Sequence, residues 1–201
     1  MRAVLFDLDG VFVESHQVWF HVMRAIARKF GYPDITPQQM QRAWGQGIAE
    51  DARIFYPGLS VRELEHEYNL LFPQNLAHLA VKPDGAATVA ALRANRILVG
   101  VVTNSPAAVA RAMLERAQIA SDVLVCGTDV SEPKPAPDGI LKALTLLDVS
   151  VDDAVYIGDT KFDREAARRT AIGFVGYRID GDARIETLRE VVGLCLPDTG
   201  N

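Results

Sequence analysis

The chain has 201 residues, 49% hydrophobic and 23% charged, with a formal net charge of −5. That apolar share excludes a mainly disordered chain, and the acidic balance argues against a nucleic-acid partner, which would call for a basic face. Two distant cysteines, Cys126 and Cys195, exclude a disulfide framework or a zinc knuckle and fit a reduced compartment.

From the N-terminus, the first apolar run, Ala3 to Phe6, stops at Asp7-Leu8-Asp9-Gly10. Asp7 ends it too early for a signal peptide, and no later run is long enough to span a bilayer. A cytoplasmic protein with no membrane partner is expected. From Ser15 to about Val81 no strand pattern occurs. Val18, Trp19, Val22, Met23, Ile26, Ala27 and Phe30 instead mark one helical face, closed by Gly31 and Pro33. Thr36-Pro37-Gln38-Gln39 and Ser60-Val61-Arg62-Glu63 are capping-box openings for further helices. Alternation then begins. A helix over Gly85 to Ala94, with Asn95 as a left-handed C-cap, precedes a strand from Ile97 to Val102. Ser105 is expected to cap a helix over Pro106 to Ala117, with proline at its first position. Strands follow at Val123 to Cys126, Ala154 to Ile157 and Gly173 to Tyr177, separated by helices over Pro137 to Leu147 and Phe162 to Thr170. Short β-branched runs alternating with helices predict an α/β fold, a doubly wound parallel sheet with right-handed crossovers. Residues 1–14 and 82–201 form the core in this reading, and 15–81 an inserted all-helical domain. Only the last few residues are expected to fray.

In such a sheet ligands bind beyond the carboxyl ends of the strands. Asp7 and Asp9 follow the first strand, Thr103-Asn104-Ser105 the second, Lys134 the third, and Asp159 with Asp163 the fourth. Each has a plain reading: Asp7 to Gly10 as a turn, Lys134 as a solvated lysine, and Thr160 to Asp163 as a capping box. Together they describe a site. Carboxylates sharing one rim raise each other's pKa unless a cation neutralises them, and Mg²⁺ suits a few carboxylates plus a phosphate. Lys134 adds a fixed positive charge, and Thr103 offers an anion its hydroxyl and nearby backbone N–H groups. The set points to phosphoryl transfer. His16, His21, His66 and His78 lack metal-ligand spacing, and no P-loop motif occurs.

Four segments, Val4 to Gly10, Val101 to Ser105, Lys134-Pro135-Ala136-Pro137, and Ile157-Gly158-Asp159 with Asp163, together resemble the haloacid dehalogenase superfamily. The resemblance is to its phosphoglycolate phosphatase-like branch, with a Rossmann-like core and an inserted helical cap. It implies that Asp7 is a nucleophile forming an aspartyl-phosphate, and that Asp9 serves as acid and then base. It further implies that Thr103 and Asn104 hold phosphoryl oxygens and that Lys134 balances charge. Mg²⁺ would be held by Asp7, Asp159 and the backbone carbonyl of Asp9, with Asp163 as a ligand or a support. The implied partner is a small phosphorylated metabolite; oligomeric state is left open. Gly45-Gln46-Gly47 resembles a cap specificity loop, flanked by Arg42, Glu50 and Arg53. Val11, Glu14 and Asn95 depart from common family residues, which bears on the subgroup. A sugar-phosphate mutase of the β-phosphoglucomutase type is the alternative, although that branch has a hinge histidine where this chain has Trp19. A signalling receiver domain also clusters acids, threonine and lysine, but motif order and the insert oppose it.

Overall fold

Side chains alternate across the first strand, β1 (Ala3–Phe6), and all four residues are fully buried. Val4 and Phe6 enter one apolar cluster, while Ala3 and Leu5 enter a second on the opposite face. Both faces are therefore covered, as the continuous apolar run requires. The structure, a computed structural model, describes residues 1–195, so the fraying expected of the last few residues falls outside the described ones.

The core sheet has six strands. Besides β1 they are β4 (Leu98–Val102), β5 (Val123–Val125), β6 (Ala154–Gly158), β7 (Gly173–Tyr177) and β8 (Ala183–Ile185), all paired in parallel in the order β5-β4-β1-β6-β7-β8. Labels β2 (Val13–Glu14) and β3 (Ala80–Val81) denote a separate antiparallel ribbon. Helices α5 (Gly85–Ala94) and α6 (Ala107–Ala117) bury Val89, Leu92, Val109 and Met113 with the Val4 and Phe6 face. Helices α7 (Asp138–Leu147) and α8 (Lys161–Thr170) bury Ile140, Leu144, Ala166 and Ala167 with the Leu5 face. A short terminal helix, α9 (Glu190–Cys195), packs against α5. The doubly wound sheet is as expected.

Between β2 and β3 the chain is helical: α1 (His16–Phe30), α2 (Pro37–Ala43), α3 (Ile48–Phe55) and α4 (Val61–Leu71), followed by a 3₁₀ turn at Pro73–His78. Both expected capping boxes form, Thr36 with Gln39 and Ser60 with Glu63. The aromatic trio Trp19, Tyr68 and Phe72 packs α1 onto α4, with ring centroids 4.9 Å apart in both Trp19 pairs. Chain enters and leaves through the two-residue ribbon, and Lys82 forms an ion pair with Glu14 beside it.

Several local expectations differ from what is found. The left-handed residue after α5 is Arg96, at φ 60°, while Asn95 has φ −94° and uses its amide to donate to the Ala91 carbonyl. Pro106, not Ser105, is the N-cap of α6, because the Ser105 hydroxyl is drawn to Asp9. Phe30 is 40% exposed at the end of its helix rather than on the buried face. The ribbon strands are too short to leave a period-two signature. Strand β8 returns beside β7 after only a short loop, held where Asp182 and Phe174 bond reciprocally (2.9 and 2.8 Å), so no crossover helix announces it. Phe72 is fully buried in the inserted segment. Phe72→Ala should lower the unfolding free energy by about 3–5 kcal/mol, measured by urea titration.

Candidate active site

The carboxyl ends of β1, β4 and β6 converge with the loop after β5. Strand β1 delivers Asp7, whose backbone N–H still donates to the Ile157 carbonyl at 2.8 Å, so its side chain leaves the sheet at a fixed place. Gly10, at φ 80°, turns the chain back immediately beyond Asp9. A Cβ there would stand 1.9 Å from Asp159 Oδ2, so both the backbone conformation and the close approach of that carboxylate require glycine.

Lys134 lies at the centre. Its ammonium is buried and paired with Asp7 and Asp163, each at 2.7 Å. It also donates to the Val102 carbonyl (3.1 Å) and the Tyr156 hydroxyl (3.0 Å). Burial alone would lower its pKa, but the two carboxylates outweigh that and push it up. Asp163 uses both oxygens. Oδ1 accepts from Lys134 and Tyr156, and Oδ2 from the Thr160 backbone and hydroxyl, completing a capping box at the start of α8. Both oxygens of Asp163 are thus engaged within the protein.

Oxygens of Asp7, Asp159 and Asp163 lie within 4.8 Å of one another. Burial raises the pKa of Asp7 well above the carboxylate range, with Asp163, Asp159 and Asp9 adding to it and Lys134 opposing. The same pressures push Asp159 up to about 8. Asp159 Oδ1 is buried without a hydrogen-bond partner, and Asp7 Oδ1 has only its ion pair with Lys134. Three carboxyl groups thus face a single ammonium, a crowding that a further cation would relieve, and the free atoms are hard oxygens. The donor set therefore fits a divalent cation such as Mg²⁺.

Asp9 points elsewhere. Its carboxylate accepts from the Trp19 indole (2.9 Å), the Ser105 hydroxyl (2.8 Å), the Thr103 hydroxyl (3.4 Å) and Ser15. Two of these donors belong to the entrance of the helical insert and two to the loop after β4. Asn104 lies at the rim, but its side chain is committed. It donates to the carbonyls of Gly45 (2.9 Å) and Lys134 (2.8 Å) and accepts from the Lys134 N–H (2.9 Å). Any anion contact from Asn104 therefore falls to its backbone.

A cavity with about 600 Å³ of empty volume, its open mouth included, joins this rim to the insert. Asp7, Asp9, Thr103, Asn104 and Lys134 line it from the core, and Gln46 lines it from the insert. Arg42 and Arg53 do not. Arg42 faces a separate outer hollow, and Arg53 is exposed and paired with Glu50 at 2.8 Å on the solvated side of α3. Charged heads stay hydrated where the cavity wall is apolar, so of the three expected specificity residues Arg42, Gln46 and Arg53 only Gln46 lines the cavity. Sequence reasoning also missed Ser15, Trp19 and Ser105 around Asp9, and Tyr156 beside Lys134. A tyrosine inside the otherwise aliphatic run Ala154 to Ile157 was the one available signal.

Comparison with known proteins agrees with this arrangement. The sequence profile of the haloacid dehalogenase-like hydrolases matches residues 4–177. The chain is 28% identical to the N-acetylmuramic acid 6-phosphate phosphatase of Pseudomonas aeruginosa, over 88% of this chain and 83% of that protein. It is 26% identical to the phosphoglycolate phosphatase of Aquifex aeolicus, over 88% and 86%. Its fold superposes on the β-phosphoglucomutase of Clostridium difficile with a TM-score of 0.83 at 18% identity, covering 95% of this chain and 93% of that one. Because that profile spans most of the sequence, the chain belongs to the haloacid dehalogenase-like hydrolases.

Proposed function

We propose that the protein is a Mg²⁺-dependent phosphatase of small phosphorylated metabolites, working through an aspartyl-phosphate on Asp7. The observation that carries the reading is Asp7 itself: a buried carboxylate at a strand end, ion-paired to Lys134, facing Asp159 and sharing a cavity with Asp9. Named relatives that act on phosphomonoesters support it.

In this reading one oxygen of Asp7 attacks phosphorus and the bond to the leaving oxygen breaks. Asp9 gives that oxygen a proton. Asp9 then takes a proton from the water that attacks the aspartyl-phosphate, which releases inorganic phosphate and restores Asp7. The Thr103 hydroxyl and the Asn104 backbone N–H hold phosphoryl oxygens, and Lys134 offsets the charge on Asp7. Asp7, Asp159 and the Asp9 backbone carbonyl would hold Mg²⁺, which when bound neutralises phosphoryl charge. Asp163 positions Lys134. Residues 1–14 and 82–201 act as the catalytic core, and 15–81 as a cap moving on the ribbon near Glu14–Ser15 and Val81–Pro83. The cap helices' hold on Asp9 through Ser15 and Trp19 lets closure set its orientation. Trp19 offers no base in the place of a hinge histidine, so phosphate release is favoured over migration within a bisphosphate. Among the described residues no helix is long and apolar enough to cross a membrane, and both cysteines are free, in keeping with a cytoplasmic enzyme.

Phosphate release from p-nitrophenyl phosphate should require Mg²⁺ and stop in chelator after metal removal. Full activity in chelator contradicts the proposal. Lys134→Met leaves Asp7 and Asp163 buried without their cation, so it should abolish turnover and lower the unfolding free energy by about 3–5 kcal/mol in urea titration.

A further inference from the structure

The two ends of the cavity differ in chemistry. At the core end stand Asp7 and Lys134, and on the cap side Gln46, Asp51 and Tyr68 form a chain of hydrogen bonds. The Gln46 amide donates to Asp51 Oδ1 at 2.6 Å, and the Tyr68 hydroxyl donates to Oδ2 at 2.9 Å. Nothing in the phosphoryl transfer described above uses Asp51. Burial pushes its carboxyl up to about 7 against those two bonds. Each of its oxygens accepts one bond from the protein and keeps capacity for another donor.

The surrounding wall is apolar, with Met23, Met40 and Ile48. Among the described residues, Lys134 is the one cationic side chain lining the cavity, and Asp7 and Asp163 already engage it. A second anionic group on a bound substrate would therefore meet Asp51 and find no counter-charge in a poorly solvated space. A hydroxyl group would find an acceptor.

Resting on the phosphatase reading, we propose that Asp51, oriented by Gln46 and Tyr68, selects phosphomonoesters whose leaving group is polyhydroxylated and carries no second anion. It rejects esters whose leaving group carries a second anion. Asp51 sets preference among substrates and takes no part in the bond changes at phosphorus.

The test compares kcat/KM for phosphate release from glucose 6-phosphate, phosphoglycolate, glucose 1,6-bisphosphate and glucosamine 6-phosphate, with Mg²⁺ and with p-nitrophenyl phosphate run in parallel. For the wild-type enzyme glucose 6-phosphate should exceed both doubly anionic esters by at least about tenfold, the discrimination expected of one unpaired buried charge. Asp51→Asn, of nearly equal size, should narrow that ratio, and Asp51→Lys should invert it. A wild-type preference for phosphoglycolate or the bisphosphate overturns the proposal, and so does a glucosamine 6-phosphate rate no better than that of the two doubly anionic esters. A ratio unmoved by Asp51→Asn at an unchanged melting temperature also overturns it. In each of those cases hydrolysis of the aryl phosphate leaves the phosphatase reading standing. Failure to release phosphate from every compound overturns both.

Discussion

One buried ammonium organises this molecule. Lys134 sits between Asp7 and Asp163, and its two further bonds reach the Val102 carbonyl and the Tyr156 hydroxyl. Those partners belong to the loop after β1, the start of α8, the last residue of β4 and the middle of β6. A single charge thus ties together three strands and a helix. Taking three ions out of water is costly, and only full pairing and hydrogen bonding make it tolerable. The pairing is complete for Lys134 and Asp163 and incomplete for Asp7 and Asp159. That imbalance leaves carboxyl oxygens short of partners where a divalent cation and a phosphoryl group would be placed.

A second constraint follows from Asp9. It lies two residues beyond Asp7, yet its carboxylate is held by Trp19 and Ser15 at the cap entrance and by Ser105 and Thr103 on the core. Asn104 makes a parallel bridge, joining the Lys134 loop to Gly45 of the cap. Gly45, at φ 88°, has no room for a side chain beside Thr160, whose methyl would stand 3.0 Å from a Cβ. Core and insert therefore meet through polar contacts on backbone and short side chains as well as through the apolar cluster they share.

Much of this was legible in the sequence, for identifiable reasons. Four of the six core strands are buried on both faces and β5 is partly covered, so their apolar runs are continuous and end at polar turns. The acids, the threonine and the lysine sit at those ends because parallel sheets direct all carboxyl termini to one rim. Strand β8 and the ribbon were invisible because they are short and lack periodicity. The partners of Asp9 were hidden for a different reason. Trp19 satisfies the helical period of an apolar face, and its indole N–H carries no trace in that pattern. Ser105 reads as a cap from its place before Pro106, and only the fold reveals that its hydroxyl turns to Asp9. Arg42 and Arg53 were expected near the substrate because they flank a glycine-rich loop, whereas Asp51 reaches the cavity.

In the proposed reaction Asp7 and Asp9, two residues apart, divide the chemistry between them. The direct measurement is acid quenching during turnover with a ³²P-labelled aryl phosphate, followed by counting and locating protein-bound phosphate in Asp7→Asn and Asp9→Asn. Asp7→Asn should carry no label. Asp9→Asn should accumulate label on residue 7, because a good leaving group needs little protonation while no base remains to activate water. Equal labelling of the two variants, or label on any residue other than Asp7, would contradict the account.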